Sequence, residues 1–437
     1  MSKKERILTS LMATEAELLK AAKTASKKNA VNVLKNLAAI RDVCRMELLE
    51  NAYAKYGEVY DGLIHTVEQM TKVKELRSNE ETFSLSGELL QYLIRETERE
   101  TNFKKDIFFL PYKASMWDSL ESVWKAAYED KEHCNAYVMP IPYADLTPDG
   151  SVATWHCERD QFPKYVPTLD WKEIDLKEWH SDVIFIHNPY DDFNRVTSVE
   201  HRYYSRNLKE CTDKLVYVPY FVLGEPNNWT EEQEDKIAHF ILTPAVMNAD
   251  LTIVQSEAMR KVYISVLSRR TNQAKEYWEK HICGTGSPKF DKVAKSKRED
   301  FKLPKEWERL LDGEKSVLYN TSLSAMLKHT DKYFQKIHIV LETFKNQQDV
   351  VLWWRPHPLM EATLRSMRPE LLAEYETIVK DYRNAGWGIF DDTAELERAI
   401  ACSDAYYGDW SSVVQLYEKT GKCVMIQAIE EDEGKDL

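Results

Sequence analysis

The chain has 437 residues, of which 43% are hydrophobic and 11% aromatic, and its formal net charge is −13. That length calls for two or three domains, and the apolar content is enough for real cores, which excludes a globally disordered chain. The acidic balance excludes nucleic acid as a bulk partner.

Residues 1–100 read as a helical N-terminal region. Ile7, Leu11, Leu18 and Leu19, then Val33, Leu37, Ile40 and Met46, and later Leu89, Leu90, Leu93 and Ile94, recur at helical spacing. No heptad persists over three repeats, so a long coiled coil is not expected. The helices are expected to pack on the rest of the chain or to form a homo-oligomer. The first forty residues carry Lys3, Lys4, Arg6, Lys20, Lys23, Lys27, Lys28 and Lys35 against Glu5, Glu15 and Glu17. This local excess fits a solvated helix face, the commoner case, or contact with an anionic membrane surface or an acidic partner.

Seven dispersed cysteines without a CxxC pair suit reduced thiols in a cytosol. The most apolar stretch, Ile237 to Val254, is broken by His239, Pro244, Asn248 and Asp250, so it does not read as a membrane span. Met1-Ser2-Lys3-Lys4 opens a charged segment and not a secretory signal. The expected location is cytoplasmic, at most peripheral at the inner face of the membrane.

From Asp106 the rhythm changes. Ile107–Leu110, Ala136–Ile141, Val183–Ile186, Leu215–Val218 and Leu251–Val254 are short apolar runs, each followed by a polar loop or helix. Strand, loop and helix repeated in this way predict a parallel sheet covered on both faces, here a first Rossmann-like domain over 101–295. The excursion from Ala144 to Asp182, rich in Trp, Pro and Asp, is either a binding loop or a surface insertion. A charged, apolar-poor stretch over 296–315 reads as a linker. A second series then runs through Ser316–Tyr319, Val350–Trp354, Gly388–Phe390, Ala405–Tyr407 and Cys423–Ile426, giving a second Rossmann-like domain over 316–437. The expected fold class is α/β, with two parallel-sheet domains facing a cleft and ligands bound beyond the carboxyl ends of the strands.

The second domain carries most of the chemistry. In Tyr406-Tyr407-Gly408-Asp409-Trp410-Ser411-Ser412 a strand ends and a helix opens, so free N–H groups and the hydroxyls of Ser411 and Ser412 offer an anion site, or else an ordinary serine cap. Arg355-Pro356-His357-Pro358 follows Val350–Trp354. Its prolines bar a helix and hold the imidazole at the strand end, where it can hydrogen-bond a phosphate oxygen or, protonated, stabilise departing charge. Asn320-Thr321-Ser322 supplies further hydroxyls and an amide at the same edge, and Gly284-Thr285-Gly286-Ser287-Pro288-Lys289 has small residues that allow close backbone approach. Walker, GxSxG, HExxH and cysteine–histidine zinc spacings do not occur.

These motifs resemble the CDP-glycerol glycerophosphotransferase family, the teichoic-acid primases and polymerases of GT-B fold. Arg355-Pro356-His357-Pro358 matches its RPHP. Ser403-Asp404-Ala405-Tyr406-Tyr407-Gly408-Asp409-Trp410-Ser411-Ser412 matches its sD-x-x-x-x-DYSS, with Trp410 for Tyr. Gly286-Ser287-Pro288-Lys289-Phe290-Asp291 resembles its G-x-P-R-x-D turn. The resemblance is good over roughly 251–426, thin over 106–250 and absent from the first hundred residues.

It implies a GT-B-like fold and a CDP-glycerol-like donor whose phosphates meet His357, Ser411 and Ser412, with Arg355, Asp409, Thr321 and Ser322 in the same cradle. Gly284, Gly286 and Lys289 would form the loop between domains. An acceptor hydroxyl, on a glycan or lipid-linked glycan of cell wall or capsule, would attack the β-phosphorus and release CMP, without metal or other cofactor. The family's base lies in an HGTP-like loop that does not occur here; the corresponding region reads Val216 to Gly224. His187 or Asp191, in Ile186-His187-Asn188-Pro189-Tyr190-Asp191-Asp192, is the substitute base. The family usually continues with further helices, whereas this sequence stops about ten residues after its last strand, in the acidic run Glu430 to Asp436. Two other readings share these residues: a GT-B glycosyltransferase using a nucleotide sugar, and a non-catalytic binding protein.

Overall fold

Four amphipathic helices open the chain in the computed structural model of the protein, which describes residues 3–73, 80–147, 149–194, 196–347, 349–393 and 395–427. They are α1 (Lys3–Thr24), α2 (Lys27–Glu47), α3 (Glu50–Lys72) and α4 (Glu80–Arg99). Ser26 starts α2 by accepting the Asn29 N–H on its hydroxyl. Leu11, Leu37, Leu63 and Leu90 are fully covered and share one core, so the helices bury their apolar stripes against one another. Leu19 and Met46, which fall in the same periodic pattern, are exposed. Lys3 also departs from the expected basic face. Its Nζ is turned inward, 2.7 Å from Glu47 and 2.8 Å from Asp106. The acidic run Glu430 to Asp436 lies outside the described residues.

The chain divides into two compact units, and the division falls elsewhere than the sequence suggests. One unit comprises 1–114, 123–217 and 242–252; the other comprises 115–122, 218–241 and 253–437. The four helices therefore group with the first sheet, and segments 115–122 and 218–241 group with the second half of the chain.

In the first unit the strands are β1 (Lys105–Leu110), β2 (Cys134–Val138), β3 (Tyr143–Leu146), β4 (Val152–His156), β5 (Ser181–Ile186), β6 (Thr197–Val199), β7 (Thr212–Tyr217) and β8 (Leu251–Ile253). Five of them order as β2-β1-β5-β7-β8, and these pairs are parallel with, for example, Phe109 opposite both Val138 and Phe185. The long excursion is not a bare loop. β3 and β4 form an antiparallel hairpin, and β6 joins β3 on its other side.

The second unit contains the short β9 (Ile282–Cys283), then β10 (Lys315–Thr321), β11 (Val350–Pro356), β12 (Ile389–Phe390), β13 (Ala405–Gly408) and β14 (Cys423–Ile426). The last five form a parallel sheet in the order β12-β11-β10-β13-β14. Period-two alternation sends Leu318, Val351, Trp353 and Tyr406 into one core, and Tyr319, Leu352 and Trp354 into the core on the opposite face. Both faces are covered, as a parallel sheet requires. The fold class is thus α/β with two parallel sheets and a helical N-terminal region.

The supposed linker 296–315 is a packed element. The helix Lys305–Leu310 lies within it, and Leu303 and Leu311 are buried in the same core as Trp353. Its charges lie on the outer side of a short amphipathic segment, which is why composition alone misplaces it. Among the described residues no helix is long and apolar enough to cross a membrane.

Candidate functional site

β10 is the central strand of the second sheet, and its last residues organise the candidate site. Asn320 pairs with Arg355 on one side and Gly408 on the other, and Thr321 pairs with Pro356. The His357 N–H donates to the Thr321 carbonyl at 2.9 Å, and the Asp409 N–H donates to the Asn320 carbonyl at 3.0 Å. Across the sheet the Asn320 Nδ2 donates to the Ser411 hydroxyl at 3.1 Å. The RPHP loop and the Asp-Trp-Ser-Ser loop, separated by about fifty residues of chain, are therefore both tied to two consecutive residues of one strand. Neighbouring strands lie about 4.8 Å apart, which sets the two loops roughly 10 Å apart across β10.

Glycine at 408 is required for this approach. Its φ is +145°, and a Cβ there would stand 2.2 Å from the Asn320 carbonyl oxygen. Gly284 is comparably constrained, with a Cβ falling 2.4 Å from the Ser256 oxygen, while Gly286 has φ +126° and open space.

Within this frame the expected ligand groups divide into two classes. His357 is half-buried, and its Nδ1 accepts the Leu359 N–H at 3.1 Å. In the neutral ring the proton then resides on Nε2, leaving that atom a donor. Burial lowers the His357 pKa below the ordinary histidine value. Ser411 caps the helix Ser412–Glu418 by accepting the Val413 N–H at 3.2 Å, and Ser412 is exposed. The helix is short, so hydroxyls and free amides, more than a macrodipole, make this end attractive to an anion.

The other four candidates are engaged within the protein. Arg355 is buried: its Nη1 lies 3.0 Å from Asp391 as an ion pair, and its Nη2 donates to the Thr393 carbonyl at 2.5 Å. Asp391 is fully buried and also takes the Trp353 Nε1–H at 3.0 Å and the Thr393 hydroxyl at 2.7 Å. Arg355 therefore shapes the loop after β12 and is not free to clamp a phosphate. Asp409 is ion-paired with buried Lys336 and accepts the Ser322 N–H at 2.6 Å, so it joins the exits of β13 and β10. Thr321 is fully buried and accepts the Trp354 Nε1–H at 3.1 Å. Ser322 caps the helix Leu323–Lys328 through the Ala325 N–H at 3.2 Å. These side chains position the cradle and do not face a ligand.

Both substitute bases are corrected by their surroundings in the first unit. His187 is fully buried, and its Nε2 accepts the Tyr112 N–H at 3.1 Å. Asp191, at φ +46°, is buried and accepts the Ser205 N–H at 2.9 Å and the Ser205 hydroxyl at 2.6 Å. Burial raises its pKa. They hold the loop after β5 to the helix Ser205–Leu208, and neither presents a basic atom to a substrate.

Lys289 is likewise engaged, ion-paired with Asp118 at the start of the helix Pro288–Lys295. Lys292 pairs with Glu121 at 2.7 Å, and Asp291 accepts the Ser122 hydroxyl at 2.7 Å. These three contacts join 115–122 to the second unit. Glu397 sits beside Asp118, and burial followed by that neighbouring carboxylate raises its pKa. No motif marks this Asp118–Lys289–Glu397 group, because its members come from three distant segments. Among the described residues no group of three His, Cys, Asp or Glu side chains has a metal-holding arrangement.

Residues 227–433 match the family described as CDP-Glycerol:Poly(glycerophosphate) glycerophosphotransferase. No curated protein matches the chain. Among solved structures, a UDP-N-acetylglucosamine 2-epimerase aligns with TM-score 0.45 and 13% identity over 75% of this chain and 80% of that one. The UDP-GlcNAc 2-epimerase of Neisseria meningitidis gives 0.42 and 9%, covering 74% and 82%. The wall teichoic acid polymerase TagF gives 0.40 and 11%, covering 84% and 78%. At these scores the likenesses carry no argument about chemistry.

Proposed function

We infer that residues 227–433, which match the CDP-glycerol:poly(glycerophosphate) glycerophosphotransferase family, make the chain a transferase of glycerol phosphate or a similar polyol phosphate from a CDP-activated donor. The observation that carries this reading is the shared anchoring of the His357 and Ser411 loops on Asn320 and Thr321. Two linked phosphates fit a crevice with a neutral imidazole N–H on one wall and hydroxyls on the other. In the proposed step an acceptor hydroxyl oxygen attacks the β-phosphorus. The bond from that phosphorus to the bridging oxygen breaks, CMP departs with the oxygen, and the hydroxyl proton passes to a base. Positioning and charge stabilisation supply the catalysis, and the reaction proceeds without a bound metal. The proposed acceptor is a glycan or lipid-linked glycan of teichoic acid or capsule.

Incubation with CDP-glycerol, and in parallel with UDP-sugars, tests the reading. CMP release that depends on acceptor and persists in EDTA is the expected result. UDP release alone would instead make the chain a glycosyltransferase, and the absence of both nucleotides would remove the transferase reading.

The proposal extends to peripheral contact with an anionic membrane through Lys20, Lys23, Lys27, Lys28 and Lys35, all exposed on α1, α2 and their connection. Co-sedimentation with anionic but not neutral liposomes, lost in high salt, is expected. Equal recovery with both lipids counts against it.

A further inference from the structure

The antiparallel insertion of the first unit carries a cavity whose lining includes none of the residues assigned above to the donor phosphates. Antiparallel pairing sets Ala144 opposite both Trp155 and Ser198, so these three side chains lie in one row on one face of the β4-β3-β6 sheet. That face floors a cavity of about 510 Å³, within the range of small-molecule sites. Trp155 is 52% exposed, and Val152 of the same strand also lines the cavity. The polar part of the lining comes from Asp192, Asn194, His201 and Tyr204.

These polar groups are held in place by their own local contacts. Buried Asp191, in its left-handed conformation, turns the chain into Asp192. Asn194 accepts the Val196 N–H at 2.9 Å, and the Ser198 and Tyr204 hydroxyls lie 2.9 Å apart. At the hairpin tip Asp149 accepts the Ser151 N–H at 3.3 Å, which fixes its carboxylate at the rim. Arg206 pairs with Asp192 at 3.2 Å and lies over the Tyr204 ring. Among the described residues lining the cavity none is Lys or Arg, and two are Asp. Such a lining offers acceptors for hydroxyl groups and, among the described residues, no lysine or arginine to hold a phosphate. An exposed indole in one lining with fixed carboxylate, amide and hydroxyl groups suits a ligand with one apolar C–H face and a ring of hydroxyls.

We propose that this cavity is a binding site for a neutral saccharide, with the pyranose ring stacked on Trp155 and its hydroxyls bonded to Asp149, Asp192 and Asn194. The site stands independently of the transferase reading, since it requires only that the first unit bind sugar. Saturation-transfer NMR on the full chain with glucose, N-acetylglucosamine, maltose and chitobiose tests it, with glycerol 3-phosphate as the anionic probe. Transfer to the axial C–H protons of at least one sugar is expected, and Trp155→Ala should weaken binding by about tenfold or more, with Trp155→Phe intermediate. Because Trp155 is surface-exposed, an unchanged thermal midpoint separates lost binding from lost folding. Absence of transfer from all four sugars, equal binding by Trp155→Ala, or competition by glycerol 3-phosphate would overturn the proposal.

Discussion

Replacing His357 by alanine lowers donor-dependent CMP release by about 10²–10³-fold, the scale seen when one preorganised donor to developing negative charge is removed. The thermal midpoint should change little, because the ring is half-buried and, among the described residues, its hydrogen bond is to the Leu359 N–H alone. That contact also sets the pH behaviour. Protonating the ring would place an N–H on Nδ1 against the Leu359 N–H, and burial independently disfavours the charge. The folded pKa is lowered, so the unfolded chain binds the proton more readily. The neutral ring's contribution to stability is complete above the ordinary histidine value and is lost as pH falls through the lowered one. The His357-dependent part of kcat/KM should therefore stay flat from about pH 8 down to the ordinary histidine range near 6.5. A rate that instead rises as pH drops toward 6 would mean that imidazolium is the active form. Gln, whose Nε2 reaches a similar position, should restore part of the activity that Ala removes. An Ala variant with parental turnover and unchanged midpoint defeats the assigned role.

How much of this was legible before folding follows from the kind of signal each residue carries. β11 is apolar from Val350 to Trp354 and buried over nearly its whole length, so an uninterrupted run reports it. Shorter apolar runs inside β1, β5 and β10, such as Ile107–Leu110 and Val183–Ile186, report those strands in the same way. β4 is different: Val152–His156 is largely exposed and mixed in polarity, so no pattern separates it from a loop. The two prolines around His357 mark a rigid strand exit in sequence alone, and the serine cap at Ser411 is equally local. Arg355 and Asp409 mislead because their partners are non-local. Asp391 and Lys336 stand 36 and 73 positions away in the chain, and folding alone shows that both charges are matched inside the protein. His187 and Asp191 do follow strand β5, yet a residue name does not reveal that a backbone N–H already occupies the basic atom. Local geometry was readable, whereas the availability of a polar atom was not.

The Lys336–Asp409 pair separates a residue that shapes the cradle from one that touches the donor. Both partners are buried, with side-chain exposures of 7% and 3%. Removing either strands an opposite charge, and Asp409→Ala or Lys336→Met should each cost about 3–5 kcal/mol in urea unfolding. Asp409→Ala also releases the Ser322 N–H and loosens the turn that carries Ser411, so donor KM should rise in the fraction that remains folded. The double replacement Lys336→Met with Asp409→Ala removes both charges together. It should recover a large share of the stability lost by either single change, with a strongly non-additive cycle. It should not restore donor affinity, because an alanine cannot accept the Ser322 amide. If Asp409→Ala instead kept parental stability within about 0.5 kcal/mol and lost turnover alone, Asp409 would have to act on the substrate, and the buried pair would not be what holds the two strand exits together.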